Sequence, residues 1–235
     1  MTNAAHLALP AAIRSLQPSD YTGVLIEALR AAPQRIAGAT VVEIGSGSGV
    51  VLAALASLGA GSLCGVDIEG EAVRAGAELL EELGHGAISS FRHGNLWEPV
   101  RGQRFDLVVA NLPHFPMTHG KVPGRRPSWS SGGADGRRLL DPFLEEVARH
   151  LAPGGRAVVT HNGFVGLDRS REMLRAQGLG LKVLRTTLVH LSQEKIELMT
   201  GSVLEAEEGR TILRYGPYAF GKMHVVEIDA AGNAD

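Results

Sequence analysis

Short apolar runs alternate with amphipathic stretches along most of this chain. Apolar runs of about four to eight residues are typical of buried strands, and apolar residues that recur about every three or four positions are typical of helices. The runs predict strands at 40–44, 62–67, 87–92, 105–110, 156–161, 181–190 and 223–228. The helical periods predict helices at 21–31, 50–58, 71–83 and 137–151, and a further helix after Ser192. This alternation predicts an α/β fold, with a mostly parallel seven-stranded sheet and helices on both faces.

The length and composition fit a single domain. The chain has 235 residues, 44% of them hydrophobic, and no linker-like change in composition divides it. We therefore predict a helical segment at 1–36 that leads into one α/β domain at 37–235. The formal net charge of -2 gives no overall attraction for nucleic acid.

The single cysteine and the distribution of apolar residues indicate a cellular compartment. Cys64 excludes an internal disulfide and lies in an apolar run, where a buried thiol is expected. No uninterrupted apolar run is long enough to span a membrane, and the amino terminus has no secretory pattern. These features predict a soluble, cytoplasmic protein.

Residues 41–49 join an apolar strand to three glycines at alternate positions: Val-Val-Glu-Ile-Gly-Ser-Gly-Ser-Gly. Such glycines let the backbone turn sharply beside a ligand, and the following helix offers free N–H groups. A dinucleotide loop has the spacing G-x-G-x-x-G, which would require glycine where Val50 stands. The pattern from Glu43 to Gly49 therefore favours a different nucleotide-like ligand, although an ordinary tight turn stays the alternative.

Polar residues also follow the second and third predicted strands. Asp67 ends the second strand, at about the distance from the glycines where an acid binds ribose hydroxyls. Its alternative role is to cap the helix that starts near Glu71. Asn95 follows the third strand, where its amide suits an adenine edge or serves only a turn. These residues lie at the edge of a parallel sheet where ligands bind.

The fourth predicted strand ends in Asn111-Leu112-Pro113-His114. Proline stiffens the chain as it leaves the sheet, so Asn111 is held at the strand tip. The Asn111 side-chain oxygen and the Leu112 carbonyl would form a clamp of two acceptors for an NH2 group. An Asx-type turn is the structural alternative.

Residues 112–136 form a long predicted loop with four prolines and five glycines, which is unusual for a simple connection. His114 and His119 lack further ligands at suitable spacing, so we predict no metal site. The loop also holds one aromatic residue and three basic ones, namely Trp129, Lys121, Arg125 and Arg126. They could recruit an anionic substrate or form a solvated lid.

Together these motifs resemble the HemK-like branch of the class I S-adenosylmethionine (SAM) methyltransferases, which modify a glutamine amide in translation release factors. The resemblance covers about residues 18–160. It is carried by Pro18-Ser19-Asp20, the stretch 42–51, Val66-Asp67-Ile68, Gly94-Asn95-Leu96, Asn111-Leu112-Pro113-His114 and Gly132-Gly133-Ala134-Asp135-Gly136. It implies a Rossmann-like class I methyltransferase fold, with 37–235 as the methyltransferase domain.

The resemblance also implies the cofactor and the residues that hold it. SAM would be bound by Glu43, Gly45, Ser46, Gly47, Gly49, Asp67, Ile68, Asn95, Leu96 and Asn111. Asn111, Leu112, Pro113 and His114 would form the catalytic motif, and Asn111 would orient a nitrogen acceptor. In-line transfer then needs no metal, because the sulfonium is already a good leaving group.

This chain departs from the family motif at two positions, and its acceptor stays open. Leu112 replaces a proline, and His114 stands where the family has an aromatic ring. A protein glutamine, a small molecule of a biosynthetic pathway methylated on nitrogen or oxygen, and less favourably adenine in RNA or DNA are the alternatives. The residues before the first strand are too few for the recognition domain of bacterial members, so a small partner subunit, as in eukaryotic and archaeal members, or a homodimer is also open.

Overall fold

A computed structural model describes residues 16–120, 122, 127–129 and 131–231. These residues form one eight-stranded sheet in the order β3-β2-β1-β4-β5-β8-β6, and β7 pairs with β8. The strands are β1 Thr40–Ile44, β2 Ser62–Asp67, β3 Ser89–His93, β4 Phe105–Ala110, β5 Leu151–Asn162, β6 Leu179–Leu191, β7 Ile212–Tyr215 and β8 Tyr218–Ala230. The pairs among β1 to β5 are parallel, and β8 runs antiparallel to β5, β6 and β7.

Helices cover both faces of this sheet. The described residues contain α1 Asp20–Arg30, α2 Val50–Ser57, α3 Gly70–Glu82, α4 Leu140–His150, α5 Leu167–Arg175, α6 Gln193–Leu198 and α7 Gly201–Glu207. Side chains alternate across β1, so that Val41 packs with α1 and α2 whereas Val42 packs with α4. The predicted mostly parallel sheet between helical layers is therefore confirmed.

The sheet differs from the prediction by one strand. The seven predicted strands are present, but the prediction omitted β7, a four-residue strand that forms a hairpin with β8 through Gly216 and Pro217. Its residues carry too short an apolar pattern to be recognised alone. The backbone of β7 forms its hydrogen bonds with β8. β8 spans Tyr218–Ala230 and is therefore much longer than the predicted strand at 223–228.

The predicted helix at 137–151 begins three residues late. Arg137 is buried, its backbone N–H bonds to Asp135, and its guanidinium donates to backbone oxygens of the Val165–Gly166 turn. Gly136, with a φ of 77°, turns the chain just before it. These contacts hold Arg137 outside α4, which starts at Leu140.

The helix before the first strand begins with a capping arrangement at Ser19. The Ser19 backbone N–H donates to Thr22 Oγ1 at 3.2 Å. Leu25 and Leu29 then bury this helix against the sheet. The division of the chain at residue 36 stays a prediction, and residues 1–15 and 232–235 lie outside the described part.

Candidate active site

The carboxyl ends of β1, β2 and β4 border a cavity of about 200 Å³. It lies where the strand order reverses between β1 and β4, the position at which open α/β sheets bind ligands. The predicted site residues that line it are Glu43, Gly45, Ser46, Gly47, Asp67, Ile68, Asn95, Leu96, Asn111, Leu112, Pro113 and His114. The structure therefore brings together motifs that are spread over more than seventy residues of the chain.

Gly49 has a different position from the other glycines. It precedes α2 with a φ of 77°. A Cβ at this position would lie 2.9 Å from the Cα of Gly76 in α3. Gly49 is therefore needed where two helices approach closely, rather than in the wall of the cavity.

The turn at Gly45 and Gly47 is held by backbone hydrogen bonds and by Asp67. The N–H groups of Gly45 and Ser46 both donate to the Val66 carbonyl, at 2.8 and 3.0 Å. The Gly47 N–H donates to Asp67 Oδ2 at 2.9 Å, and the Glu69 N–H donates to Asp67 Oδ1 at 2.9 Å. Asp67 thus supports the loop and Glu69, the residue before α3, but it does not cap this helix, which has no side-chain cap hydrogen bond.

Asp67 can still serve a ligand. Each carboxylate oxygen has room for a second hydrogen bond, and the side chain lines the cavity while only 4% exposed. Burial raises the pKa of Asp67, although the backbone hydrogen bonds from Glu69 and Gly47 oppose this. The geometry of Asp67 is therefore compatible with the ribose-binding interpretation, which stays a prediction.

Glu43 is a buried acid beside Asp67. Its side chain is 2% exposed, and Oε2 has no hydrogen-bond partner among the described residues. Burial raises the pKa of Glu43 well above its usual value, the Asp67 carboxylate raises it further, and a backbone hydrogen bond from Leu52 opposes both. Ser46 Oγ likewise has no partner in the described part of the chain.

Asn111 is held between two threonines. Its Nδ2 donates to Thr22 Oγ1 in α1 at 3.3 Å, and its Oδ1 accepts from the Thr160 hydroxyl at the end of β5 at 2.8 Å. The amide is therefore oriented by two elements far away in the sequence. Oδ1 keeps one acceptor position after the Thr160 contact.

His114 also lines the cavity, and its side chain contacts the backbone of Leu112. Its Nδ1 lies 2.5 Å from the Leu112 carbonyl oxygen, and its ring meets Tyr21 edge-on at 6.0 Å between centroids. Because a carbonyl oxygen only accepts, Nδ1 is the nitrogen that carries the proton. The Leu112 oxygen thus also accepts one hydrogen bond from the protein.

The long loop folds back over both halves of the cavity. Gly132 donates to the Phe115 carbonyl at 2.8 Å, and a Cβ on Gly132 would lie 2.7 Å from the Cα of His114. Further along, the Ser128 hydroxyl donates to Glu69 Oε1 at 2.6 Å, and Trp129 packs beside Gly47. The loop therefore connects the Asn111 motif to the glycine turn.

The predicted basic character of this loop falls largely outside the described residues, since Lys121, Arg125 and Arg126 belong to the undescribed part. His119 bonds to Thr118. Within the described ranges, no group of three or more His, Cys, Asp or Glu side chains could hold a metal ion. Nor does any described helix have the length and apolarity needed to cross a membrane.

Known proteins are similar to this chain in sequence and in fold. A family described as a methyltransferase domain matches residues 41–122. A Methanocaldococcus jannaschii protein named for protein N5-glutamine methyltransferase activity is 32% identical over 144 residues, which are 61% of this chain and 72% of that protein. The chain belongs to the HemK-like SAM-dependent methyltransferases.

Other relatives of this methyltransferase differ in length. A release factor glutamine methyltransferase of Geobacter sulfurreducens is 34% identical over 152 residues, which are 61% of this chain but only 52% of that enzyme. The chain therefore spans about half the length of that relative. The solved E. cuniculi Mtq2–Trm112 complex includes a chain with the same fold, with a TM-score of 0.58 at 16% identity, covering 92% of this chain and 98% of that one.

SAM is the cofactor of this methyltransferase, and the cavity fits such a ligand. The glycine turn borders the cavity, and Glu43 Oε2 and Ser46 Oγ are buried polar atoms without partners among the described residues. A cofactor with an ammonium group and polar hydroxyls would satisfy such atoms. The methyl group that it supplies is the one transferred.

The sequence analysis did not predict five polar residues of this methyltransferase site. Tyr21, Thr22, Asn162 and Lys195 line the cavity, and Thr160 supports Asn111 from behind it. Tyr21 donates to Asn162 Oδ1 at 2.7 Å across 141 residues of sequence. The position of Thr22, three residues after the Ser19 cap, was the only local signal among them.

Proposed function

We propose that this enzyme transfers the methyl group of SAM to the side-chain amide nitrogen of a protein glutamine. The observation that carries the proposal is the pair of oxygens at the tip of β4, Asn111 Oδ1 and Leu112 O, which lie in the wall of the cofactor cavity. The names of the Methanocaldococcus and Geobacter relatives support the same acceptor class.

The two oxygens suit an NH2 group. Each accepts one hydrogen bond from the protein, from Thr160 and His114 respectively, and each retains one acceptor position. An amide that donates both hydrogens to this pair has its nitrogen fixed beside the cofactor. Such alignment of reacting atoms supplies on the order of 7–11 kcal/mol of the barrier in favourable cases.

The transfer forms an N–C bond as the C–S bond breaks, and the nitrogen then loses a proton. His114 is the titratable side chain next to the clamp, and its protonated Nδ1 leaves Nε2 as the basic nitrogen. We assign the removal of the proton to His114. This assignment accounts for a histidine where the family has an aromatic ring.

A small-molecule acceptor is the second candidate, and α6 favours it. Lys195 of this helix lines the cavity, and the Thr200 N–H that follows donates to the Pro116 carbonyl at 3.0 Å. The segment after β6 therefore lies against the loop that carries the Asn111 motif. A chamber bounded in this way suits a compact acceptor with a carboxylate that Lys195 could bind.

A transfer screen with labelled SAM separates these classes. We expect label on a release factor, at a glutamine, rather than in tRNA or in a metabolite extract. Label confined to the metabolite fraction would select the second candidate, and label in tRNA would contradict both. A release-factor acceptor would also place the reaction in the cytoplasm, and activity of the purified chain alone would exclude an obligatory partner subunit.

Asn111→Ala tests the clamp itself. Loss of one of its two oxygens should misplace the acceptor and lower turnover by about 100-fold or more. Binding of S-adenosylhomocysteine, measured by calorimetry, should weaken far less than turnover, because Asn111 is only one of the residues that the resemblance assigns to the cofactor. Unchanged turnover in a variant that still binds the cofactor would remove Asn111 from the mechanism.

A further inference from the structure

Glu43 presents a buried carboxyl group to the cofactor cavity. Its side chain is 2% exposed, and Oε2 has no hydrogen-bond partner among the described residues. An ionised carboxylate in such a place would lose its hydration with only the backbone hydrogen bond from Leu52 to offset the loss, which costs several kcal/mol. The geometry therefore favours a neutral, protonated Glu43 while the cavity is without a cation.

The surroundings of Glu43 add a negative charge and little that offsets it. On one side β2 contributes Asp67, whose carboxylate acts on Glu43 directly. On the other side β4 contributes apolar Val109, and α2 contributes apolar Val51 and Leu52. The other titratable side chains in the cavity wall are Tyr21, His114 and Lys195. Two neighbouring buried acids do not both ionise readily, so one proton is retained.

The cofactor brings positive charge into this site. SAM and its demethylated product both carry an α-ammonium group, which is protonated below about pH 8. A cation close to two buried acids favours their ionised forms and lowers their pKa values. We propose that cofactor binding expels the proton of Glu43, which passes from the carboxyl oxygen to the solvent.

The sign of the pH effect follows from this exchange. Burial and Asp67 hold the pKa of Glu43 above its usual value in the empty cavity, and a bound cation lowers it. Between the lower and the higher pKa, binding releases up to one proton, so affinity rises with pH by up to about tenfold per pH unit. Affinity levels off above the higher value, because Glu43 is then already ionised before binding.

Calorimetry with S-adenosylhomocysteine measures the released protons directly. The titration is run at one pH in two buffers that differ in enthalpy of ionisation, and is repeated across about pH 5 to 8. We expect heats that differ between the buffers and correspond to a release approaching one proton, together with an affinity that increases with pH. This measurement uses the whole chain and requires no methyl acceptor, so it is independent of the acceptor proposal.

Two variants assign the proton to its residue. Glu43→Gln keeps the size of the side chain and removes the titration, so both the buffer dependence and the rise of affinity with pH should disappear. Glu98→Gln changes an exposed acid near β3 and should leave both unchanged. Persistence of the proton release in Glu43→Gln would overturn the proposal.

The wild-type result is decisive even if Glu43→Gln does not fold. Equal heats in the two buffers throughout the pH range would show that no proton is released and would overturn the proposal by themselves. As a second readout, the carboxyl signal of Glu43 in protein labelled with ¹³C-glutamate should shift from the protonated towards the ionised position when S-adenosylhomocysteine is added. Absence of that shift would likewise contradict the proposal.

Discussion

The two halves of the cavity are constructed in different ways. On the cofactor side, residues close in sequence hold one another, as in the hydrogen bond from Gly47 to Asp67 across 20 residues. On the acceptor side, Asn111 depends on Thr22 and Thr160, which are 89 and 49 residues away. In the proposed mechanism, cofactor binding is thus a property of one strand-turn-helix unit and its neighbour, whereas acceptor positioning requires strands and helices from distant parts of the chain.

This difference predicts separable defects. Changes on the cofactor side should act on binding or on local packing, and changes on the acceptor side should act on turnover while cofactor affinity is retained. The loop at 112–136 is the exception, because Ser128 and Trp129 reach from the acceptor motif to the cofactor side. Three substitutions test the division.

Gly49→Ala should have the largest effect, and it should be on stability. A side chain at this φ of 77° costs about 1–2 kcal/mol, and its Cβ would also press on the backbone of Gly76 at 2.9 Å. We expect a loss of about 2–4 kcal/mol in the free energy of unfolding, measured with denaturant.

Gly84→Ala is the matched control, because Gly84 has the same φ of 77° and open space around its missing side chain. Gly84→Ala should lose only the roughly 1–2 kcal/mol of unfolding free energy that a side chain at this positive φ costs. The division fails here if Gly49→Ala is as stable as Gly84→Ala but no longer binds S-adenosylhomocysteine, since Gly49 would then contact the cofactor.

Thr160→Val should have an intermediate effect, and it should be on turnover. Valine keeps the shape but removes the donor to Asn111 Oδ1, which leaves the amide less firmly oriented. Loss of such a hydrogen bond costs about 1–3 kcal/mol, so kcat with the acceptor found in the transfer screen should fall roughly 5- to 150-fold.

Thr160→Ser separates positioning from packing, because it retains the hydroxyl and should recover most of the turnover. Both variants should bind S-adenosylhomocysteine as the wild type does. Equal turnover of the valine and serine variants would show that Thr160 acts only through its volume.

Ser128→Ala should have the smallest effect, and it tests the exception. The variant loses the hydrogen bond to Glu69, worth about 0.5–1.5 kcal/mol. If the loop stabilises the closed cofactor site, S-adenosylhomocysteine should dissociate roughly 2- to 10-fold faster in stopped-flow measurements. An unchanged dissociation rate would show that this contact of the loop does not stabilise the bound cofactor.

The same contrast explains how much the sequence revealed. The strands other than β7, most helices and part of the cavity wall were predictable, because glycine spacing and polar strand ends are local signals that parallel strands bring to one edge. Thr160 and Asn162 lie at the end of β5, whose apolar run predicts only that the strand is buried. Their hydrogen bonds to Asn111 and Tyr21 depend on the packing of β5 against β4 and α1, which the sequence does not predict. The sequence also does not separate two roles of Gly49, because a glycine required for close helix packing and one required beside a ligand produce the same pattern.

The last strand of the chain lies inside the sheet rather than at its border. Because β8 separates β5 from β6, the β6 segment has no strand to pair with until β8 has been synthesised. Until then the growing chain exposes β5 as an open edge, which is where early intermediates would associate with one another or with a chaperone. Synthesis must therefore pass β8 before the part of the sheet that carries Thr160 has both of its neighbouring strands.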